Sequence, residues 1–507
     1  MKKKSSNFLS RLGYNEKILI FCALIFSSIY LIFFPVFYAS IDEHEYAKNA
    51  YLLKQGSLIT EDPLKACRGT FNGQGFISNY YIGKSLFLLP FTFIGFSALM
   101  LSGLIIHLIN FFLFYLILKK LKFNPINSLL YLLFPAFIWD MRTLNTELLV
   151  LMFLLLGFYF YLSKELKKNY LSGLFFGFAC IVRYDALIAF WPFALFSLFK
   201  DKKKFFALIS GIVLPALFIL AYNNYFYGNF FTAGYGNIGT LISHKLNLAS
   251  SFYTLLFALI VITVMYPLML LSPIFYKKQG RIEISLVLLS YLLFYVKAYN
   301  VLSYDFNIIK NFTTQIRYII PALGLLLIIY IPLFETILKK ISMKIKFLNR
   351  NKIFALIILF LFCVLTVASY YHSNFLKDRY TVFQQIYSNT PKNALLVGGS
   401  DDCMYTLRGA FEKRRYIRID AENDLGPTMK NFDVKKFFDD KTYIINLEYS
   451  NRRGSESLRQ KTIVDKERKA VEGFIIENRK SLQLIFKTDK PHYLEIYKYI
   501  PSNVPKP

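Results

Sequence analysis

A short stretch, Ser40-Ile41-Asp42-Glu43-His44-Glu45-Tyr46, brings three carboxylates and an imidazole together directly after the apolar run Ile18 to Ala39. That run is long enough to cross the roughly 30 Å hydrocarbon core of a bilayer, so the acidic group stands where the chain leaves the lipid. A carboxylate at such a margin is partly desolvated, and desolvation raises its pKa toward the range that general-base chemistry uses. Asp42 and Glu43 are therefore candidate bases, and Tyr46 follows them one turn along. The plainer alternative is a solvated helix cap, with Ser40 or Asp42 opening a helix that runs on through Ala47 and Tyr51.

Further polar groups recur at the ends of other apolar runs. Lys84 opens the run after this loop. Asp140, Arg142 and Glu147 surround a second turn, Arg183 and Asp185 occupy a third, and Arg317 opens Arg317-Tyr318-Ile319-Ile320-Pro321. Taken singly, a Lys or Arg in such a place is an interface anchor, its stem in lipid and its head in water. Converging on one leaflet, the cations can hold a phosphate while the carboxylates take a proton from a hydroxyl or an amine.

The elements that carry these groups follow from composition. Of 507 residues 55% are hydrophobic and 18% aromatic, with a mean hydropathy of +0.40. This excludes an ordinary soluble domain and predicts a polytopic α-helical membrane protein. The formal charge of +28 comes from 60 Lys and Arg against 32 Asp and Glu. Because the basic residues sit in short clusters between apolar runs, membrane topology accounts for them better than a nucleic-acid partner does. Met1-Lys2-Lys3-Lys4 before an apolar run resembles a signal peptide, but Phe37 and Tyr38 stand where a cleavage site needs small residues, so an uncleaved anchor is expected. Of the five cysteines, Cys22, Cys180 and Cys363 lie in apolar runs, which leaves Cys67 and Cys403 as the pair that a disulfide in polar surroundings would join. No cluster of Cys or His has metal-ligand spacing.

The basic clusters are Lys2 to Lys4, Lys119 to Lys122, Lys164 to Lys168, Lys200 to Lys204, Lys277 to Arg281 and Lys339 to Lys352. If all are cytoplasmic, the apolar runs between them cross in pairs, giving about eleven spans, or about thirteen if Gly83 to Leu118 crosses three times. Pro90, Gly95 and Gly103 interrupt that stretch, and it reads as an interfacial or re-entrant piece followed by a full span. The outer side then holds Asp42 to Tyr81, Trp139 to Thr146, Tyr225 to Ser251, Leu302 to Gln315 and the tail. Residues 1–371 form a transmembrane catalytic domain whose first outer loop is 40–83. Residues 372–507 are charged throughout and alternate strand-like runs (Ala394 to Val397, Tyr443 to Leu447, Leu482 to Phe486, Leu494 to Tyr499) with helical ones (Phe375 to Tyr387, Thr462 to Asn478), which predicts a soluble extracytoplasmic α/β domain. Gly398-Gly399-Ser400-Asp401-Asp402 lacks the pattern of a phosphate-cradling loop and reads as a turn.

The order of these pieces resembles the GT-C superfamily of integral-membrane glycosyltransferases, in particular the branch of protein O-mannosyltransferases and lipid A aminoarabinose transferases. Asp42-Glu43-x-x-Tyr46 after the first span matches, and Ala50, Leu53 and Gly56 continue it. Similar too are Asn79-Tyr80-Tyr81-Ile82-Gly83-Lys84, Arg142-Thr143-Leu144-Asn145-Thr146-Glu147, Arg183-Tyr184-Asp185-Ala186, Asn224 to Asn229 with Gly234-Tyr235, and Arg317-Tyr318-x-x-Pro321. The likeness covers the first two thirds of the chain, and Ser85 and Tyr184 stand where the branch often has Pro. It implies inverting transfer of a sugar from a polyprenyl-phosphate donor to an acceptor (protein, lipid or glycan) outside the cell membrane. On it Asp42 is the base, with Glu43 shaping the site or acting in its place. Lys84, Arg183 and Arg317 hold the donor phosphate. Glu147, with Arg142 and Tyr46 near it, orients the acceptor, a bound divalent cation or Lys84, and the aromatic loop Tyr225 to Tyr235 faces lipid or sugar. No cofactor is certain. Two other classes are open: a transporter or flippase of lipid-linked sugars, which calls for an internal repeat and midplane charges, and a membrane-anchored binding protein whose tail does the recognising, which needs fewer spans.

Overall fold

Inside a bilayer a backbone can satisfy its N–H and C=O groups only within itself, so long apolar runs fold as helices. The computed structural model describes residues 13–60, 69–72, 74–234, 236–237, 248–298, 316–345, 348–399, 414–419, 434–448 and 458–501. The chain opens with α1 (Tyr14–Ile32) and α2 (Ile41–Lys54), followed by a small antiparallel sheet of β1 (Ile59–Thr60), β2 (Gly69–Phe71) and β3 (Phe76–Ser78). Next come α3 (Ile82–Thr92), α4 (Phe96–Lys120), α5 (Pro135–Asp140), α6 (Glu147–Tyr161), α7 (Leu166–Val182), α8 (Leu187–Lys200) and α9 (Lys202–Tyr227). A two-strand ribbon, β4 (Thr232–Ala233) and β5 (Gly236–Asn237), precedes α10 (Leu248–Met265), α11 (Arg281–Ala298), α12 (Ile320–Lys344) and α13 (Arg350–Asn389). The tail supplies β6 (Leu395–Gly398), β7 (Arg415–Arg418), β8 (Thr442–Glu448), α14 (Leu458–Glu477), β9 (Leu482–Thr488) and β10 (Tyr493–Tyr499).

This is a multi-pass helical membrane protein. Among the described residues, α1, α4, α9, α12 and α13 are long and apolar enough to cross a bilayer, and α10 makes a sixth if it continues through a 97° bend into 269–275. The other expected spans fold as shorter or interrupted helices. Between 125 and 140, Pro125 and Pro135 divide the run into one-turn pieces, since proline cannot continue the hydrogen-bond ladder of a preceding turn. Gly83 to Leu118 becomes the short α3 and the full-length α4, joined at Gly95, whose φ of +127° suits glycine alone. Phe93 and Ile94 are exposed at that corner.

The main core lies inside the bundle around α6 and α12. A second core forms where α2, α3 and the far end of α13 meet the tail sheet, joining Phe37, Tyr46 and Leu88 to Phe383, Leu396, Tyr443 and Ile496. The sheet order is β7-β6-β8-β10-β9, parallel around β6 and antiparallel from β8 onward. Together with α14 it has the α/β character expected of the tail. Strand β7 was not expected, because Arg415-Tyr416-Ile417-Arg418 is short and framed by charge. The helix α13 runs without a break through residue 371 for 40 residues. The outer segment Leu302 to Gln315, the pair Cys67 and Cys403, Tyr235, and the turn residues Ser400 to Asp402 lie outside the described residues, while Cys22, Cys180 and Cys363 are free thiols.

Candidate active site

Helix α2 starts at Ser40, whose backbone is extended and whose side chain makes no cap bond. Glu43, three residues on, takes over: its Oε1 accepts from the Ala39 N–H (3.1 Å) and the Ser40 hydroxyl (3.3 Å), and its Oε2 accepts from the Leu144 N–H (3.1 Å). Glu43 therefore ties the helix start to the 140–147 turn in the manner of a capping box. Burial pushes its carboxyl up to about 7 against those three hydrogen bonds. Asp42, about 100° around the helix, faces elsewhere. Its Oδ1 accepts from the Tyr80 hydroxyl at 2.6 Å and its Oδ2 from Arg317 Nη2 at 2.9 Å. The Asp42 side chain is 25% exposed against 2% for Glu147, which leaves it open to an incoming molecule. Glu45, on a third face, takes the Lys48 ammonium on both oxygens (2.7 and 2.6 Å) and the Ser78 hydroxyl at 3.1 Å. Burial opposes its charge, but Lys48 wins and holds the Glu45 carboxyl down to about 2.

The cations come from three other elements. Arg317, in the 3₁₀ turn before α12, also donates to Asn145 Oδ1 (3.2 Å) and the Tyr318 hydroxyl (2.8 Å), and its Nε lies 3.9 Å from Glu147. Arg183, where α7 ends, donates to Glu147 at 2.9 Å and grips Asp185 with two parallel bonds of 2.9 and 2.8 Å. Both guanidiniums stack near the Tyr318 ring, at 5.4 Å for Arg183 and 4.8 Å for Arg317. Glu147, at the first position of α6, is thus shared between them. Asp140 accepts from Asn145 at 3.3 Å through one oxygen and has no partner on the other among the described residues; burial and the neighbouring Glu147 charge both push its pKa up.

Lys84 differs from the arginines. It is 1% exposed, yet among the described residues no carboxylate comes within ion-pair distance of its ammonium and no hydrogen bond satisfies it. The charges acting on it are those of Asp140, Glu147 and Glu43. Gly83 beside it sets the position: a Cβ there would lie 2.6 Å from the Ile181 carbonyl and the Val182 Cα. The start of α3 thus abuts the end of α7, one residue from Arg183.

The structure gathers Asp42, Tyr46, Lys84, Glu147, Arg183 and Arg317 at one end of the bundle. Tyr46 is buried edge-on to Tyr80 at 5.3 Å, within electrostatic reach of Asp42, Arg183, Glu147 and Arg317. Arg142 is engaged otherwise. It donates to His372 Nδ1 (3.1 Å) and to the Phe33 carbonyl and lies over the Tyr30 ring, linking α1, the 140–147 turn and α13. The aromatic loop packs on the 40–83 loop, with the Tyr227 hydroxyl on the Ser78 carbonyl at 3.0 Å. Sequence reasoning assigned no role to Tyr80, Asn145, Tyr318 or the Glu45–Lys48 pair. The spacing Ser40-x-x-Glu43 is a signal that marks Glu43 as a helix-start residue. Nothing local marks Asn145 or Tyr80, whose partners are distant in the chain. No group of three or more His, Cys, Asp or Glu that could hold a metal ion occurs among the described residues.

Neither a protein-family model nor a curated protein matches the chain. Solved structures do. ArnT from Cupriavidus metallidurans bound to undecaprenyl phosphate aligns with a TM-score of 0.60 at 9% identity over 96% of this chain and 98% of its own. The apo form of the same protein aligns at 0.55 over the same shares. The arabinofuranosyltransferase AftD from Mycobacteria aligns at 0.46 and 11% identity over 97% of this chain and 40% of its own. From α1 to the tail sheet, this chain has the fold of ArnT.

Proposed function

We propose that the protein is a glycosyltransferase that moves a sugar from a polyprenyl-phosphate donor to an acceptor hydroxyl or amine on the outer face of the membrane. The observation that carries this reading is Lys84, a buried ammonium with no ion-pair partner among the described residues, within the field of the Glu147 carboxylate that Arg183 and Arg317 also face. An isolated buried cation is costly, and an anion that neutralises it is the natural occupant. The ArnT structure, whose fold this chain shares, holds undecaprenyl phosphate, an anion of the required kind.

In the reaction, Asp42 accepts the proton of the acceptor group as its oxygen or nitrogen attacks the anomeric carbon. The bond from that carbon to the phosphate oxygen breaks, and polyprenyl phosphate leaves with the electron pair. Lys84 and the two guanidiniums stabilise the departing charge, and the anomeric centre inverts. Glu147 aligns Arg183 with Arg317, and Tyr46 walls the cleft. Glu43, committed to three hydrogen bonds, shapes the helix start on which Asp42 stands. The site lies on the outer face, the chain crosses about eleven times with the interrupted runs included, and residues 372–507 form a domain on that side. The flippase reading draws no support from the fold.

The test uses purified full-length protein with radiolabelled polyprenyl-phosphate sugars and membrane extracts as acceptor source. Asp42→Asn should lower transfer about a hundred- to ten-thousand-fold while still binding undecaprenyl phosphate, and Lys84→Ala should lose that binding. Near-normal turnover by Asp42→Asn, or undiminished binding by Lys84→Ala, would sink the assignment.

A further inference from the structure

We infer that Tyr80 is a positioning residue for Asp42, holding its carboxylate in the reactive orientation when Arg317 turns to the donor phosphate. The inference rests on the proposed role of Asp42 as base. Asp42 uses one oxygen for Tyr80 (2.6 Å) and the other for Arg317 (2.9 Å). A phosphate arriving beside Arg317 competes with Asp42 for the guanidinium, because Arg prefers a doubly bonded anion and its fork fits phosphate as well as carboxylate. Once Arg317 engages the phosphate, Oδ1 stays on the phenol, and that bond keeps the carboxylate turned as it was.

The surroundings of Tyr80 make it rigid enough for that task. Its ring is 4% exposed and sits edge-on to Tyr46. Its backbone N–H donates to the Ser78 hydroxyl at 3.3 Å, and that hydroxyl donates to Glu45, which Lys48 clamps. Asp42 and Glu45 thus stand nearly one turn apart on α2 and hold residues 78–80 at both ends. The helix that bears the base fixes the loop that orients it. A buried tyrosine hydroxyl needs a partner, and here the partner is the proposed base rather than a backbone carbonyl.

Infrared titration of carboxyl groups in the detergent-purified full chain tests this, with the Asp42 band assigned by its loss in Asp42→Asn. Removing a hydrogen bond to a charged acceptor destabilises the ionised form, so Tyr80→Phe should raise the Asp42 midpoint by about one pH unit. Undecaprenyl phosphate binding should stay within about twofold, and kcat should fall about tenfold with KM unchanged. Ser78→Ala, which keeps the phenol but cuts its link to Glu45, should move the midpoint the same way by less. An unmoved midpoint in Tyr80→Phe overturns the inference even if Asp42→Asn is inactive. A shifted midpoint with an active Asp42→Asn leaves the contact standing and removes the proposed role of Asp42 as base instead.

Discussion

Asp42 and Glu43 are neighbours in the chain with opposite surroundings, and the difference decides which can do chemistry. Asp42 meets a phenol and a guanidinium at a partly open surface. Glu43 is 1% exposed and takes two backbone N–H groups and one hydroxyl. Its carboxyl, raised by burial from the ordinary 4.5 to about 7, keeps a proton in the folded chain over a window where the unfolded chain has lost it. Stability contributed by Glu43 therefore falls as pH rises through that window. Glu43→Gln cannot titrate, so thermal melting between about pH 5 and about pH 8 should show a flatter pH dependence than wild type. The variant should also be less stable at the acidic end by about 1–3 kcal/mol, since an amide donor replaces an acceptor of a backbone N–H or of the Ser40 hydroxyl. An unchanged slope would remove Glu43 as the titrating group. Glu45 behaves oppositely, because Lys48 keeps it ionised throughout that range.

At the scale of elements, the site exists because helix ends meet. Lys84, Glu147 and Arg183 lie within the first or last turn of α3, α6 or α7, and the contact at Gly83 brings two of those ends together. Gly83→Val would drive side-chain atoms into the Ile181 carbonyl and Val182 backbone and must part α3 from α7. The expected outcome is a loss of undecaprenyl phosphate affinity of at least about tenfold, roughly 1.4 kcal/mol. Gly95→Ala provides the contrast. No atom lies within 4 Å of its added Cβ, and its φ of +127° makes the substitution a backbone strain only. It should cost about 1–2 kcal/mol in stability and leave binding intact. Equal binding losses in both variants would mean that the close approach at Gly83 does not place Lys84.

Over the whole molecule, two polar ends are separated by an apolar middle. The helix α6 runs 15 residues from Glu147 in the site to Tyr161, a length of about 21 Å. At its far end Lys120 donates to the Tyr159 carbonyl (2.7 Å), Lys204 to the Tyr161 carbonyl (2.8 Å) and Lys278 to the Leu121 carbonyl, while Arg350 pairs with Glu335 at 3.3 Å. Basic clusters scattered from 119 to 352 in the chain are thus gathered at the end opposite the site. On our proposal the positive-inside rule makes that end cytoplasmic and turns the site outward. In intact cells, a membrane-impermeant thiol reagent should label Ser57→Cys and Asn393→Cys but spare Lys167→Cys, all three positions being exposed. Labelling of Ser57→Cys and Asn393→Cys from opposite sides would separate the tail from the site.

Composition and charge spacing by themselves determined that the chain is a multi-pass helical membrane protein with an α/β tail, because hydrophobic length and basic flanks act locally on every span. They also picked out most of the charged residues that the structure gathers at one end of the bundle, since an ionisable group at the edge of an apolar run is costly wherever it stands. They did not decide which charges pair. Asn145 bridges Asp140 and Arg317, Tyr80 reaches Asp42 across 38 residues, and Arg142 turns to His372. Those partners are chosen by how helices pack, and packing is set by contacts such as Gly83 on Val182 that no local pattern announces. The roles of Asp42 and Glu43 were divided in the same way: one helix carries both, and only the neighbours on its different faces make one a candidate base and the other a cap.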